Sequence, residues 1–233
     1  MSEIFQDLLR EPLSYIDGSY LEGHRLTREQ LEQVHLAGIR KRFGELRKRV
    51  PVLDRLATEQ GIEAIDSIED AVPLLFPHTV YKSYPLSILE RGQFDRLTRW
   101  LDGLTAEDLR KVDVSGVETI DDWVSCMDRQ TELRLLHTFG TTGKLSFAPR
   151  MREHWTQSTT LTAHAVRDWH GEHTGPDLMT ARLPMVQPGY RFGAGATYRG
   201  VEAMVKLWAG GDDNALFLYP HDYFSADIAS LAG

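Results

Sequence analysis

The densest set of chemically capable residues in this sequence is Gly140-Thr141-Thr142-Gly143-Lys144, inside the run RLLHTFGTTGKLSFAPR from Arg134 to Arg150. Two glycines let the backbone turn its N–H groups toward a ligand, and two hydroxyls and an ammonium add further donors. Those are the parts of a phosphate-binding loop, expected to extend from Thr138 to Ser146. The spacing separates it from a Walker loop, which needs glycine where Thr138 stands and Ser or Thr where Leu145 stands. A bare hairpin turn would more naturally use Asn-Gly or Asp-Gly.

Weaker constellations surround it. Gln187-Pro188-Gly189-Tyr190-Arg191-Phe192 is expected at the carboxyl end of a strand, where open α/β sheets place ligands; the competing reading is a plain turn followed by core aromatics. Gly193-Ala194-Gly195-Ala196-Thr197-Tyr198 starts like a dinucleotide fingerprint, but Tyr198 takes the place of the third glycine. Close packing of helix on sheet is the better use of these glycines. His164, His170, Glu172 and His173 lack an HExxH spacing and read as surface residues. His137 is of more interest because it immediately precedes the loop; the competing reading is a strand residue packing or bonding locally. The tryptophans at 100, 123, 155, 169 and 208 all fall on predicted helices as packing residues.

These residues need elements to position them. Residues 1–130 read as a mainly helical amino-terminal region. Thr27 caps a helix whose apolar stripe is Leu31, Val34, Gly38, Ile39, Phe43, Leu46 and Val50, with Pro51 as its end or a kink. Shorter helices are expected from Ser67 or Ile68 toward Leu74, through Phe94, Leu97 and Leu101 to a stop at Asp102-Gly103, and after the caps Thr105 and Thr119. Residues 131–233 read as a β-α-β region carrying the loop. Strands are expected from Leu133, at Leu145-Ser146-Phe147, at Leu178 to Val186 and at Ala215 to Tyr219. Helices should run from about Glu153 to Trp169, around Val201 to Trp208, and from just after His221-Asp222, with a turn at Pro188-Gly189. This alternation predicts an α/β fold with a mainly parallel sheet and flanking helices. The chain ends in DIASLAG as a helix has only started, which reads as an interruption.

Composition narrows the classes. A net charge of -8 gives no reason to expect nucleic acid as a partner. The basic run from Arg40 to Arg49 lies on the first helix and reads as a solvated face. One cysteine, Cys126, excludes an internal disulfide and a cysteine-based metal cluster within these residues; both fit a reducing compartment, with cytoplasm as the default. The longest compact apolar run, Ala71 to Phe76, is too short to span a bilayer, and no membrane role is expected.

The run His137 to Lys144 resembles the Ser/Thr-Ser-Gly-Thr-Thr-Gly-Lys-Pro-Lys signature of adenylate-forming enzymes, the acyl-CoA and aryl-CoA ligases, luciferases and peptide-synthetase adenylation domains. The segment IEDAVPLLFPHTVYKSYP, ending at Pro85, is similar to the one preceding this loop in the phenylacetate-CoA ligase and acyl-protein synthetase branch. LPMVQPGYRFGAG and ALFLYP follow in the order of the family's later strands. Phe139 stands in place of the family's serine, and Leu145-Ser146 in place of its Pro-Lys.

The resemblance implies attack of a small-molecule carboxylic acid on the α-phosphate of ATP, with Mg2+. The resulting acyl-adenylate would pass its acyl group to an amine or to a thiol, that of CoA or of phosphopantetheine on a carrier protein. It implies that Thr138, Gly140, Thr141, Thr142, Gly143 and Lys144 hold the leaving phosphates. Gln187, Tyr190 and Phe192 would border the acyl pocket, with Tyr190 or Phe192 as an aromatic wall. The family's Tyr-Gly-x-Thr-Glu segment, ribose-binding aspartate and carboxy-terminal catalytic lysine have no counterpart in these 233 residues, so both regions are expected to form one incomplete adenylation domain, inactive alone. The alternative is a non-catalytic truncated adenylation fold that binds nucleotide or a partner.

Overall fold

Thr27 opens the first helix with a reciprocal cap: its hydroxyl accepts from Gln30 N, and Gln30 Oε1 accepts from Thr27 N. The structure, a computed structural model, describes residues 10–11, 13, 26–138, 144–169 and 182–223. Helix α1 (Arg28–Leu46) buries Phe43, while the rest of its stripe, Leu31, Val34, Gly38, Ile39 and Leu46, stays half-buried. Pro51 does not kink it. α1 ends earlier, and Pro51 occupies the first turn of α2 (Pro51–Glu59), where its missing N–H is harmless.

The basic run from Arg40 to Arg49 begins on α1 and continues past its end; all of its basic residues but Arg47 are exposed, and several also reach neighbouring backbone. Arg40 donates to Ile65 O at 2.6 Å and to Asp66 O at 2.8 Å. Arg47 Nη1 reaches Ile62 O and Glu63 O at 3.1 and 3.2 Å, and Arg49 reaches Ala106 O at 3.0 Å. These guanidinium forks satisfy carbonyls of irregular backbone and tie later loops to the first helix.

Phe43, Ala57, Ile65 and Leu74 form a small core there, closed by a 3₁₀ turn at Glu69–Leu74 rather than a regular helix, with Pro73 inside it. After a 3₁₀ turn at Val80–Lys82 come α3 (Leu86–Glu90), α4 (Phe94–Asp102) and α5 (Ile120–Gln130). Phe94, Leu97 and Leu101 on α4 are buried at helical spacing, as predicted. Thr119 and Asp122 make the second reciprocal cap. The helix expected after Thr105 is instead a 3₁₀ turn at Leu109–Lys111. Short-range side-chain acceptors win there: Thr105 Oγ1 takes Glu107 N at 3.2 Å and Asp102 Oδ1 takes Leu109 N at 2.8 Å.

Strands β1 (Leu133–Thr138) and β2 (Ser146–Met151) pair antiparallel, His137 opposite Phe147 and Thr138 opposite Ser146. A mainly parallel sheet is therefore not what the described residues form: one of their two strand pairs is antiparallel, because so short a connection cannot make a crossover. α6 (Arg152–Trp169) follows directly.

β3 (Met185–Gly193) and β4 (Ala215–Tyr223) form a parallel pair joined by α7 (Ala196–Met204), a π turn at Val205–Ala209 and a 3₁₀ turn at Asp212–Asn214. The expected turn at Pro188-Gly189 is a bulge inside β3, since pairing passes from Gln187–Phe217 to Tyr190–Tyr219. Proline has no N–H for the ladder and is accommodated where pairing lapses. A second shift, before Phe192–Asp222, restores the count and carries β4 past the expected end at Tyr219 to Tyr223; the helix expected just after His221-Asp222 falls on residues beyond it. Residues 178–181, and those from 224 on, lie outside the described set.

The main core joins the two sequence regions. Tyr84, Leu97, Leu101, Trp123, Met127, Leu133, Leu135 and Phe147 are among its buried members, so helices before residue 130 enclose the hairpin after it. No helix among the described residues is long and apolar enough to cross a membrane.

Candidate functional site

In sequence the glycine-threonine segment connects β1 to β2. Thr138, exposed, and Ser146, half-buried, form its root. Phe139, Gly140, Thr141, Thr142 and Gly143 lie outside the described residues, so of the six expected phosphate-holding residues the structure locates Thr138 and Lys144.

Lys144 is tethered. Its ammonium donates to the Tyr84 carbonyl oxygen and lies 4.5 Å from the centroid of the Tyr84 ring. Partial burial, and after it the nearby Lys82, hold this lysine below the ordinary lysine range. The Tyr84 hydroxyl donates to Leu145 O at 2.8 Å, so one tyrosine grips two consecutive residues at the end of the loop. Its ring meets Trp100 edge-on at 5.0 Å and Phe147 at 5.6 Å, and its burial raises the phenol above its ordinary range. Trp100 Nε1 in turn donates to Ser83 Oγ at 2.9 Å. Tyr84 lies in the segment before the loop, but nothing in its local spacing marked it. The signal was its place in KSYP at the end of the segment resembling the family's pre-loop region.

His137 is the last buried residue of β1. Its ring is 1% exposed and packs edge-on toward Phe147 at 6.4 Å, and its backbone makes a parallel bridge to Gly195. Burial, then the charge of Arg199, lower its pKa to about 4, so it is neutral at physiological pH. The local packing role expected of it is what the structure shows, with one addition: the bridge sets the loop-bearing strand beside the amino end of α7.

Arg199, on α7, is 4% exposed and bonds Asp128 Oδ2 through Nη2 at 2.7 Å. Arg134 of β1 reaches the same carboxylate oxygen at 3.5 Å and also bonds Glu202. These charges pair because burying any one alone would cost several kcal/mol. They wall a polar cavity of 250 Å³ that also meets Arg191, Phe192, Tyr198 and Asp222.

The three residues expected to border an acyl pocket separate here. Phe192 lines this cavity with its ring 4.3 Å from the Arg191 guanidinium. Tyr190 instead joins a tyrosine cluster, stacked on Tyr219 at 4.8 Å and close to Tyr223 and Tyr198 at 4.8 and 6.2 Å. Gln187 stands below the bulge, opposite Phe217. Arg191 is held by Asp212 at 2.9 Å through Nε, and the charge cluster itself was not foreseen. Asp128, Arg134, Arg199 and Glu202 are scattered over three elements at positions that look individually like surface charges.

The close-packing use of the glycines is visible at Gly193, where a Cβ would stand 2.7 Å from Tyr198 Cδ2. The histidine group is only partly in view: His164 lies on α6, while His170, Glu172 and His173 are outside the described residues.

No protein-family model, no curated protein and no solved structure matches this chain. What the described residues define is a mixed α/β protein with an antiparallel hairpin, a parallel strand pair and a predominance of helix.

Proposed function

We propose that the chain contributes the phosphate loop of an adenylate-forming ligase, in which a carboxylate attacks the α-phosphate of ATP and pyrophosphate leaves. The bond from carboxylate oxygen to phosphorus forms as the bond to the bridging oxygen breaks. The acyl group then passes to a thiol, of CoA or a carrier, or to an amine. The observation that supports this most is the position of Gly140-Thr141-Thr142-Gly143-Lys144 between two antiparallel strands, rooted on a buried core and with its single cation at the end.

In that reading the loop's N–H groups, the hydroxyls of Thr138, Thr141 and Thr142, and Lys144 oppose charge on the departing phosphates. Nothing from Thr138 to Ser146 supplies a carboxylate, so magnesium would be carried on phosphate oxygens rather than by the loop. The carboxylate substrate is an anion at neutral pH and needs no general base.

A second reading, nucleotide or partner binding without catalysis, is favoured by the tether of Lys144 to the Tyr84 carbonyl. A lysine so engaged must exchange that bond for a phosphate. Calorimetric titration with ATP and magnesium tests the loop: saturable binding should weaken about tenfold in both Lys144→Ala and Thr142→Ala. Unchanged affinity in both variants would overturn the assignment. Neither reading expects these 233 residues alone to exchange pyrophosphate into ATP; carboxylate-dependent exchange by a longer chain that supplies the missing Tyr-Gly-x-Thr-Glu, aspartate and lysine segments separates the ligase from the binding module.

A further inference from the structure

A larger cavity than the one beside Arg199 lies elsewhere. It is a groove of 850 Å³ between α1, the Glu69–Leu74 turn and the first turn of α6. Its volume is within the ~300–1,000 Å³ usual for small-molecule sites. The floor is apolar, built from Ile39, Leu53, Ile65 and Leu74 of the small second core and its neighbours, and Leu75 stands at the lip, 70% exposed. This explains why the stripe of α1 is only half-buried: part of it faces the groove.

Cationic side chains predominate along the walls. Arg10, Lys41 and Arg42 line the groove beside His35 and His154, against one carboxylate, Glu153, among the described lining residues. Arg42 Nη2 stands 3.3 Å from Nδ1 and 3.2 Å from Nε2 of His154, so the guanidinium lies against the imidazole ring. Burial first, then Arg42 itself, holds that ring below its ordinary range. Glu45, which is not among the lining residues, lies 3.7 Å from Arg42 and 4.0 Å from Lys41, too far for a tight fork to either. A planar guanidinium above an apolar floor matches a planar carboxylate at the head of an apolar chain. An anionic membrane fits poorly, because the chain carries a net charge of -8.

We propose that this groove binds a free single-chain amphipathic carboxylate, its chain along the apolar floor and its head at Arg42. Of the residues expected to hold phosphate, the two described, Thr138 and Lys144, do not line the groove.

The full chain is titrated calorimetrically with decanoate below its micelle concentration, with decanol and with anionic phospholipid vesicles. Saturable one-to-one binding of decanoate is expected, at least about tenfold tighter than decanol, with no uptake by vesicles. Arg42→Gln should weaken decanoate about tenfold and leave decanol unchanged. Leu75→Glu, at an exposed position where folding is not at risk, should also weaken decanoate while the thermal midpoint and far-ultraviolet dichroism stay as in the parent. Absence of saturable decanoate binding, equal affinity for decanol, binding to vesicles alone, or indifference to both substitutions would each overturn the proposal. Lys144→Ala should leave decanoate affinity unaltered, which separates failure here from failure of the loop assignment.

Discussion

The β1–β2 hairpin and the β3–β4 pair are both two-stranded, yet they are held in different ways. Leu133, Leu135 and Phe147 of the hairpin are wholly buried under α3, α4 and α5. In the parallel pair Val186, Leu216 and Leu218 are 75%, 66% and 63% exposed. Parallel strands usually have both faces covered. Here the described contacts are concentrated in a tyrosine stack, the Arg191–Asp212 pair and α7. One pair depends on general apolar burial, the other on a few close fits. Substitutions should therefore act differently in the two.

The largest effect is expected in the hairpin's core. Trp123 is fully buried, lies edge-on to Phe147 at 5.1 Å and donates through Nε1 to Thr98 Oγ1 at 2.9 Å. Trp123→Ala should cost about 3–5 kcal/mol in urea unfolding, from lost burial, the cavity and the orphaned partner. A loss below about 1 kcal/mol would mean that this core is not what holds the hairpin.

His137 sits at the seam between the two strand pairs and makes the contrast pH-dependent. Its folded pKa of about 4 lies below the ordinary 6.5, so the unfolded chain binds more protons between those values. Its contribution is fully present above pH ~6.5 and is lost as pH falls toward ~4, an effect of roughly 2–3 kcal/mol. Denaturant unfolding at several pH values should show this loss, and His137→Gln should flatten the slope. An unchanged slope in the variant would place the titration elsewhere.

The same contrast explains what could be read from the sequence. Local rules were legible: the caps at Thr27 and Thr119, the stripe of α4, and strands on both sides of the loop follow from side chains a few residues apart. Pro188-Gly189 misled because a turn and a β-bulge use the same residues; only the partner strand decides between them. Tyr84's hold on Lys144 and Leu145 spans some sixty positions, and Arg199 meets Asp128 only after α5 and α7 have come together. Such contacts leave no periodicity. The basic run from Arg40 to Arg49 shows the converse: a helix under its first three members was legible, whereas the end of α1 before Arg47 and the use of Arg40, Arg47 and Arg49 as carbonyl latches depend on loops that fold back later.

In the parallel pair the informative site is Gly193. A methyl group there would overlap the Tyr198 ring, at 2.7 Å from Cδ2 and 3.1 Å from Cγ. Gly193→Ala should destabilise by about 1–3 kcal/mol, because the ring is held among Tyr190 and Tyr223 and cannot move without breaking the stack. A double-mutant cycle with Tyr198→Ala sharpens this. If the clash is the cause, the glycine substitution becomes nearly neutral once the ring is gone; an undiminished cost would point to backbone effects instead.

The smallest expected effect concerns the loop itself. Tyr84→Phe keeps the ring against Trp100 and Phe147 and removes only the hydroxyl that donates to Leu145 O. Global stability should fall by about 1 kcal/mol, the net value of one hydrogen bond. The more telling readout is hydrogen exchange at the amides flanking Lys144. The phenol fixes the loop's descending end, whereas the Lys144 ammonium uses the Tyr84 carbonyl, which the variant retains. Faster exchange at residues 145 and 146 with the core unchanged would identify the hydroxyl as the local anchor of the loop. Equal acceleration throughout β1 and β2 would show instead that loop and hairpin form one cooperative unit, and that Tyr84 matters as core rather than as a tether.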